Sequence, residues 1–515
     1  MSNLIQKYQS KIKGTLSGWD RIVFRGTIRP LAFAGGMAQC IARIGCLLKD
    51  FGEWAETKTK QLKEASLARA EMCGRPEKYI DVPFVRKEDI ARSIAEADGI
   101  TDGLVAVLTC VEPCRTFDIY KNKDTKMLEL VSRNRKCLHI YHYEIHPVFG
   151  FMYTRIQTWL PFHIQIGING REYLARQMDK RGMDYIRSGN CFPDIDNIPK
   201  AQKLMDNMHK INWPKELERI RRQVHPTHES IFGKLGLNYY WSAYQTEWAT
   251  DVMFDSTRDL QAIYPALVRG AIQGFDCHDV MRFLGRKWNR FPDGEITSDY
   301  GERCEGIRVK HVSQKNSVKT YDKSGSILRI ETTINNVQPF QSFRAPENDP
   351  EGEVKWRPMK RGVSDMHRRA EVSQAANDRY ADALAAIDTS QTIGDWASKL
   401  SKGFTKAKKR YRGIKLFEPE EMKLLAAIGS GDFLASGFTN GDISARLYGH
   451  APDDAERLRR SNRVSYRFRL LRAHGLIRKV PRRNRYHLST KGRELITAML
   501  QLQVANLQQL NSIPA

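Results

Sequence analysis

The densest group of chemically capable residues lies between positions 308 and 331. It reads Arg308-Val-Lys-His311, then Asn316-Ser-Val-Lys-Thr-Tyr-Asp-Lys323, then Leu328-Arg-Ile-Glu331. Alternating apolar and polar residues predict short adjacent strands here. Lys319, Tyr321 and Lys323 then share one face. Arg329, Glu331 and Thr333 share another, with Leu328, Ile330, Thr332 and Ile334 turned away. A carboxylate, a phenol and several cations on neighbouring strands make a sensible phosphodiester site. Glu331 would hold a divalent metal, Mg²⁺ or Mn²⁺, that polarises a phosphate. Lys319, Lys323 or Arg329 would neutralise developing charge. Tyr321 would attack as a phenolate and form a covalent phosphotyrosine link.

Other residues compete for the same chemistry. Asp20 opens a predicted first strand, Trp19–Ile28. Glu247 and Asp251, four apart, would share one face of a helix. Asp20, Asp251 and Glu331 would then form the carboxylate triad of a two-metal site, the arrangement of RNase H-like nucleases and transposases. Period two also puts His163 beside Gln165, with His163 a further metal ligand, and sets His142, Glu144 and His146 on one strand face. Ordinary polar strand residues give the same patterns. Tyr141, Tyr143, Tyr153 and Trp159 fall on predicted strands carrying His and Arg, where they would stack unpaired bases or pack in a core.

Some of these patterns carry a resemblance. "Lys-x-Tyr-Asp-Lys … Leu-Arg-Ile-Glu" resembles a strand pair of rolling-circle replication initiators, which implies a metal role for Glu331. Pro161-Phe-His-Ile-Gln-Ile-Gly167 resembles the His-hydrophobic-Gln motif of single-strand nucleases with tyrosine nucleophiles. Tyr185 would be the later tyrosine, although no lysine follows it as that family places one. Trp19-Asp-Arg-Ile-Val-Phe-Arg-Gly26, Thr158-Trp-Leu-Pro-Phe162 and the Tyr321–Thr333 segment resemble bacterial proteins met with mobile elements.

The elements that must position these groups read as follows. Strand, helix, strand, helix, strand up to Thr109 predicts an N-terminal α/β layer over 1–130, including one long helix from Gly36 to Glu71. A mixed α+β core over 131–340 holds the chemistry, with helices from Arg171 to Phe283 and Trp241–Phe254 of uncertain type. Residues 341–415 read as a linker and helical hinge. The tail, 416–515, reads as a winged helix. From Arg457 to Arg493 there are fourteen Lys/Arg and no Asp or Glu, yet Leu458, Val464, Phe468, Leu471 and Ile477 keep regular spacing. A folded element with one apolar and one cationic face suits a phosphate backbone.

In the tail, Ser461–His474 would be the recognition helix. The DNA contacts would be Arg459, Arg460, Asn462, Arg463, Tyr466, Arg467 and Arg469, with Arg482, Arg483 and Arg485 at the tip of the wing. Leu470-Leu-Arg-Ala-His-Gly-Leu-Ile477 and Leu488-Ser-Thr-Lys-Gly-Arg493 resemble the corresponding segments of MarR- and ArsR-type winged helices.

Composition agrees. The chain has 515 residues, 83 Lys+Arg against 59 Asp+Glu, and a net charge of +24. Such charge favours polyanionic partners, DNA first and RNA as an open second. No apolar stretch approaches a membrane span and no signal-peptide core opens the chain, so a cytoplasmic, nucleoid-associated location without a membrane partner is expected. Nine scattered cysteines read as thiols, with Cys110, Cys114, Cys137 and His139 as types that would also suit zinc. A homodimer is compatible with the sequence. Two functions fit: a metal-dependent nuclease or strand-transfer enzyme of a mobile element, or a non-catalytic winged-helix regulator or accessory protein that binds RNA or a partner.

Overall fold

The structure, a computed structural model, describes residues 2–82, 84–285, 296–303, 306–346, 349, 351–387, 393–406, 409–430, 433, 437–480 and 483–504. Its strands up to residue 334 are β1 (Ile12–Thr27), β2 (Glu77–Tyr79), β3 (Gly103–Lys121), β4 (Leu128–His146), β5 (Gly150–Gln157), β6 (Ile164–Asn169), β7 (Tyr185–Ser188), β8 (Cys191–Ile195), β9 (Tyr240–Phe254), β10 (Ile296–Arg303), β11 (Gly306–Ser313), β12 (Asn316–Lys323) and β13 (Ile327–Ile334). Eleven of them form one sheet in the order β10-β11-β12-β13-β9-β1-β6-β5-β4-β3-β2. Only β2–β3 is parallel. The fold is thus mixed α/β with one large mixed sheet.

This sheet corrects the expected division of the chain. A boundary at 130/131 falls inside β4, whose pairing with β3 runs from Gly103↔Ile145 to Lys121↔Leu128. The N-terminal segment and the core share one sheet, because β1 is inserted between β6 and β9. The helix Met366–Ala385, placed by sequence in a hinge, packs on the back of β9 and β13. Its Asn377 side chain donates to the Trp248 and Ile330 carbonyl oxygens at 3.2 and 3.1 Å.

Two local readings also change. The helix expected from Gly36 to Glu71 is two, Ala34–Arg43 and Phe51–Met72. The first ends before Gly45, whose φ of +78° a helix cannot continue through. The stretch Trp241–Phe254 is strand, with Trp248, Val252 and Phe254 buried. By contrast, the short adjacent strands expected around Arg308–Glu331 are present as β11, β12 and β13.

Apolar burial explains the sidedness. Leu328, Ile330, Val318 and Val252 enter a core with Leu260, Leu267 and Tyr380 behind the sheet. Residues between them on β12 and β13 must face the other side. The chain from Leu400 to Met499 builds its own core around Leu424, Phe438, Val464, Phe468 and Leu488. Its elements are helices Pro419–Ile428, Asn440–Tyr448, Asp454–Ala473 and Thr490–Val504, and a small sheet of Phe438–Thr439, Arg485–Leu488 and Ile477–Lys479. Among the described residues no helix is long and apolar enough to cross a membrane.

Candidate metal centre

Asp20, Glu247 and Glu331 converge on the face opposite that core. One carboxylate oxygen of each lies within 4.8 Å of the others. Strand order explains how residues more than 300 positions apart meet: β9 carries Glu247, with β1 on one side and β13 on the other. A bulge in β1 then aims Asp20. Trp19 pairs with Trp248 and Arg21 with Glu247, leaving Asp20 as the extra residue. Bulges re-aim side chains in this way. Ala249 sits opposite Gly18 on β1 and Glu331 on β13, so no bulky side chain separates the two flanking carboxylates.

The other partners are close. Tyr321 Oη donates to Glu331 Oε2 at 2.7 Å. Lys319 Nζ is 2.7 Å from Glu331 Oε1. Gln245 Nε2 donates to Glu247 at 2.6 Å, and Asn190 Nδ2 to Asp20 at 2.6 Å. Glu331 and Tyr321 are almost wholly buried at the floor of a 1260 Å³ cavity that Lys319, Lys323, Arg21 and Arg187 also line.

Electrostatics mark this cluster as short of positive charge. Burial, then Asp20 and Glu247, raise the Glu331 carboxyl to about 6, with Lys319 only partly offsetting them. Burial and the adjacent Glu331 also push the Tyr321 phenol well above its ordinary range. Three carboxylates this close repel unless protonated or bridged by a cation. An all-oxygen donor set suits Mg²⁺ or Mn²⁺. The Lys319 ammonium at 2.7 Å already shows that a cation fits against Glu331.

Several sequence-derived roles are corrected. Asp251 does not join the triad; Glu247 does. Arg329 holds Asp251 in a two-point contact, Nε–Oδ1 2.6 Å and Nη2–Oδ2 2.8 Å, and Arg171 Nη2 adds 3.0 Å. Arg329 itself is fully buried, also bonding Asp20 Oδ1 at 3.1 Å and the Asn190 carbonyl at 2.6 Å. It therefore positions Asp20 and does not reach the cavity as a phosphate-facing cation. Close approach makes this possible: a Cβ on Gly170 would stand 1.8 Å from the Trp19 carbonyl oxygen, so glycine lets the helix bearing Arg171 lie against β1.

His163 is not with the triad. It lines a second cavity with Arg25, Arg115 and Arg155. Burial and these arginines lower it to about 3, a setting that opposes a second cation. Tyr185 does line the main cavity, but its hydroxyl is bound to Asp179 at 2.7 Å. His142, Glu144 and His146 are buried in contacts with Ser66, Arg69 and Arg219. Cys114 and Cys137 lie sulfur to sulfur at 2.8 Å beside that second cavity. Among the described residues only the Asp20 group meets metal-ligand spacing.

In the tail, Arg459, Asn462, Arg463, Tyr466 and Arg469 are exposed on the helix Asp454–Ala473, as is Arg483 beyond it. Arg460 is held by Glu456 at 2.9 Å, Arg467 by Glu420 at 3.4 Å, and Arg485 by the Gly437 carbonyl at 3.1 Å. Arg482 lies outside the described residues.

No family model matches the chain, and no curated protein or solved structure matches it either.

Proposed function

We propose that the protein breaks phosphodiester bonds in nucleic acid at a single divalent-metal site formed by Asp20, Glu247 and Glu331, with Tyr321 as nucleophile. The observation that carries this is the convergence of three carboxylates and a phenol on one cavity floor, under a basic rim. When bound, the metal supplies polarisation of the phosphate and neutralises charge. The chain's own groups do the rest. Glu331 accepts the Tyr321 proton across the 2.7 Å contact as the phenolic oxygen attacks phosphorus. A P–O bond to tyrosine forms, and the P–O bond to the leaving sugar oxygen breaks. That oxygen takes its proton from Lys323 or water. The product is a phosphotyrosine link and a free sugar hydroxyl, the outcome a strand transferase or replication initiator of a mobile element needs.

The tail supports delivery of such a substrate. The order helix, strand, two helices, hairpin, helix, with a helix bearing exposed Arg463, Tyr466 and Arg469, suits a winged helix that reads duplex DNA. The test is incubation of the full chain with labelled single- and double-stranded DNA, with and without Mn²⁺. A Mn²⁺-dependent, denaturation-resistant protein–DNA adduct lost in Tyr321→Phe is expected. Cleavage that survives Tyr321→Phe would assign water as nucleophile. No cleavage of any DNA or RNA would favour the regulator.

A further inference from the structure

The sheet face that carries the metal cluster continues, polar and cationic, along β1 toward Arg25. Across adjacent strands Arg25 pairs with Gln165, and Gln165 with Arg155. Their side chains, with Arg115, line a recess of 220 Å³. Arg155 donates to Gln165 Oε1 at 3.3 Å and to Glu112 Oε2 at 2.7 Å. Glu112 is in turn shared with Lys87 at 3.0 Å. Glu112 is therefore already divided between two cations, and among the described residues Arg25 faces no carboxylate of its own. Burial first, then Arg155 and Arg361, lower the Arg25 pKa, as expected for like charges gathered together. His163 beside them is held neutral. Such a group is built for an anion.

The ground between the recess and the metal cluster is aromatic. Tyr153 bridges them: its hydroxyl accepts from Gln165 Nε2 at 3.1 Å, while the residue lines the main cavity with Arg21. Its ring lies over Gly167, where a Cβ would come within 2.0 Å of the ring, so only glycine allows the ring to lie there. At the other side Tyr244, bulged out of β9 opposite Val23/Phe24, is 49% exposed and has the Arg25 guanidinium 5.7 Å from its ring. Rings beside cations are how unpaired bases are held without sequence readout.

We infer that this face is a binding track for single-stranded nucleic acid: Arg25, Arg115 and Arg155 hold a backbone phosphate, and Tyr153 and Tyr244 stack the intervening bases. This rests on the reading of the triad as the site of phosphodiester cleavage. Arg25 lies five residue steps along β1 from Asp20, about 16 Å at the strand rise, so the held phosphate lies a few nucleotides from the scissile one. At 220 Å³ the recess is of a size for a phosphate group rather than a stacked base pair. The substrate would accordingly enter melted or already single-stranded.

The test is photocrosslinking of the full chain to an oligo(dT) of about a dozen nucleotides carrying 5-iododeoxyuridine, with the labelled peptides identified by mass spectrometry. Label on the Tyr153 or Tyr244 peptides is expected in wild type. Arg25→Gln, which removes no ion pair, should reduce that label at least fivefold and flatten the salt dependence of binding by about one unit of log–log slope. Label on tail peptides should stay unchanged. Asp20→Asn should keep the label while losing Mn²⁺ binding. Label confined to the tail, or an Arg25→Gln protein labelled like wild type, would overturn the track. The two readings fail separately. A wild type that cleaves with Mn²⁺ but is unlabelled at both tyrosines loses the track alone. One labelled there that neither binds Mn²⁺ nor cleaves loses the cleavage reading alone.

Discussion

Glu247 and Asp251 stand four residues apart on one strand and one face, yet serve opposite ends. Asp251 is fully enclosed and gripped by two arginines, Arg329 and Arg171. Burial would raise its pKa, but those guanidinium groups hold it below the usual carboxylate range. Glu247 joins Asp20 and Glu331, where three carboxylates share one lysine and one edge of the Arg329 guanidinium, and Glu331 is raised to about 6. One centre is compensated and locks strands together. Its neighbour is left with surplus negative charge facing a cavity. Compensation marks structure, and uncompensated charge held in place by neighbours marks a site for something else.

That contrast can be broken from either side. The largest effect should come from Glu331→Gln or Asp20→Asn, which remove charge while keeping shape. Cleavage should fall by about 10²–10³-fold or more, while urea unfolding of the metal-free Glu331→Gln protein shows no loss, because repulsion is relieved. A large loss of stability would place Glu331 with Asp251 instead. Next comes Arg329→Met, which strands Asp251 in the interior and should cost about 3–5 kcal/mol. Replacing Asp251 by Leu as well should restore part of it. A mild effect of Arg329→Met would mean that the compensated centre is not structural.

A smaller effect is the pH dependence of the two centres. The Glu331 carboxyl is raised from its ordinary 4.5 to about 6 in the fold. Its contribution to metal-free stability is thus present below about 4.5 and lost as pH rises through 6. Asp251 has the opposite sign, since its lowered pKa stabilises at neutral pH and fails on acidification. Buried His139, His146 and His311, each lowered to about 4, add to the acid side as pH falls from 6.5. Thermal melts between pH 4 and 8 should therefore show a steep acid loss, partly offset between about 4.5 and 6 by the Glu331 contribution, and that offset should vanish in Glu331→Gln.

How much of this was legible beforehand follows the range of the interactions. Period two on β12 and β13 put Lys319, Tyr321 and Glu331 on one side, because alternation is local and Leu328 and Ile330 needed a core. Asp20 could be nominated from a strand-opening position. Choosing Glu247 over Asp251 could not be done, since helix and strand both put residues four apart on one face. The choice depends on Arg171 and Arg329, 80 and 78 positions away. The same long range hid the sheet's continuity across residue 130 and the role of Asn190. For Arg329 the identity was right and the role wrong: charge suggested phosphate, while burial assigns it to carboxylates.

The most direct test of the central claim is Mn²⁺ binding itself, followed by electron paramagnetic resonance and by thermal shift. Wild type should bind one Mn²⁺ saturably, with a gain in melting temperature that grows as pH rises through 6, where Glu331 loses its proton. Asp20→Asn and Glu331→Gln should each lose it. Absence of saturable binding in wild type, or binding that survives both substitutions, would contradict the account.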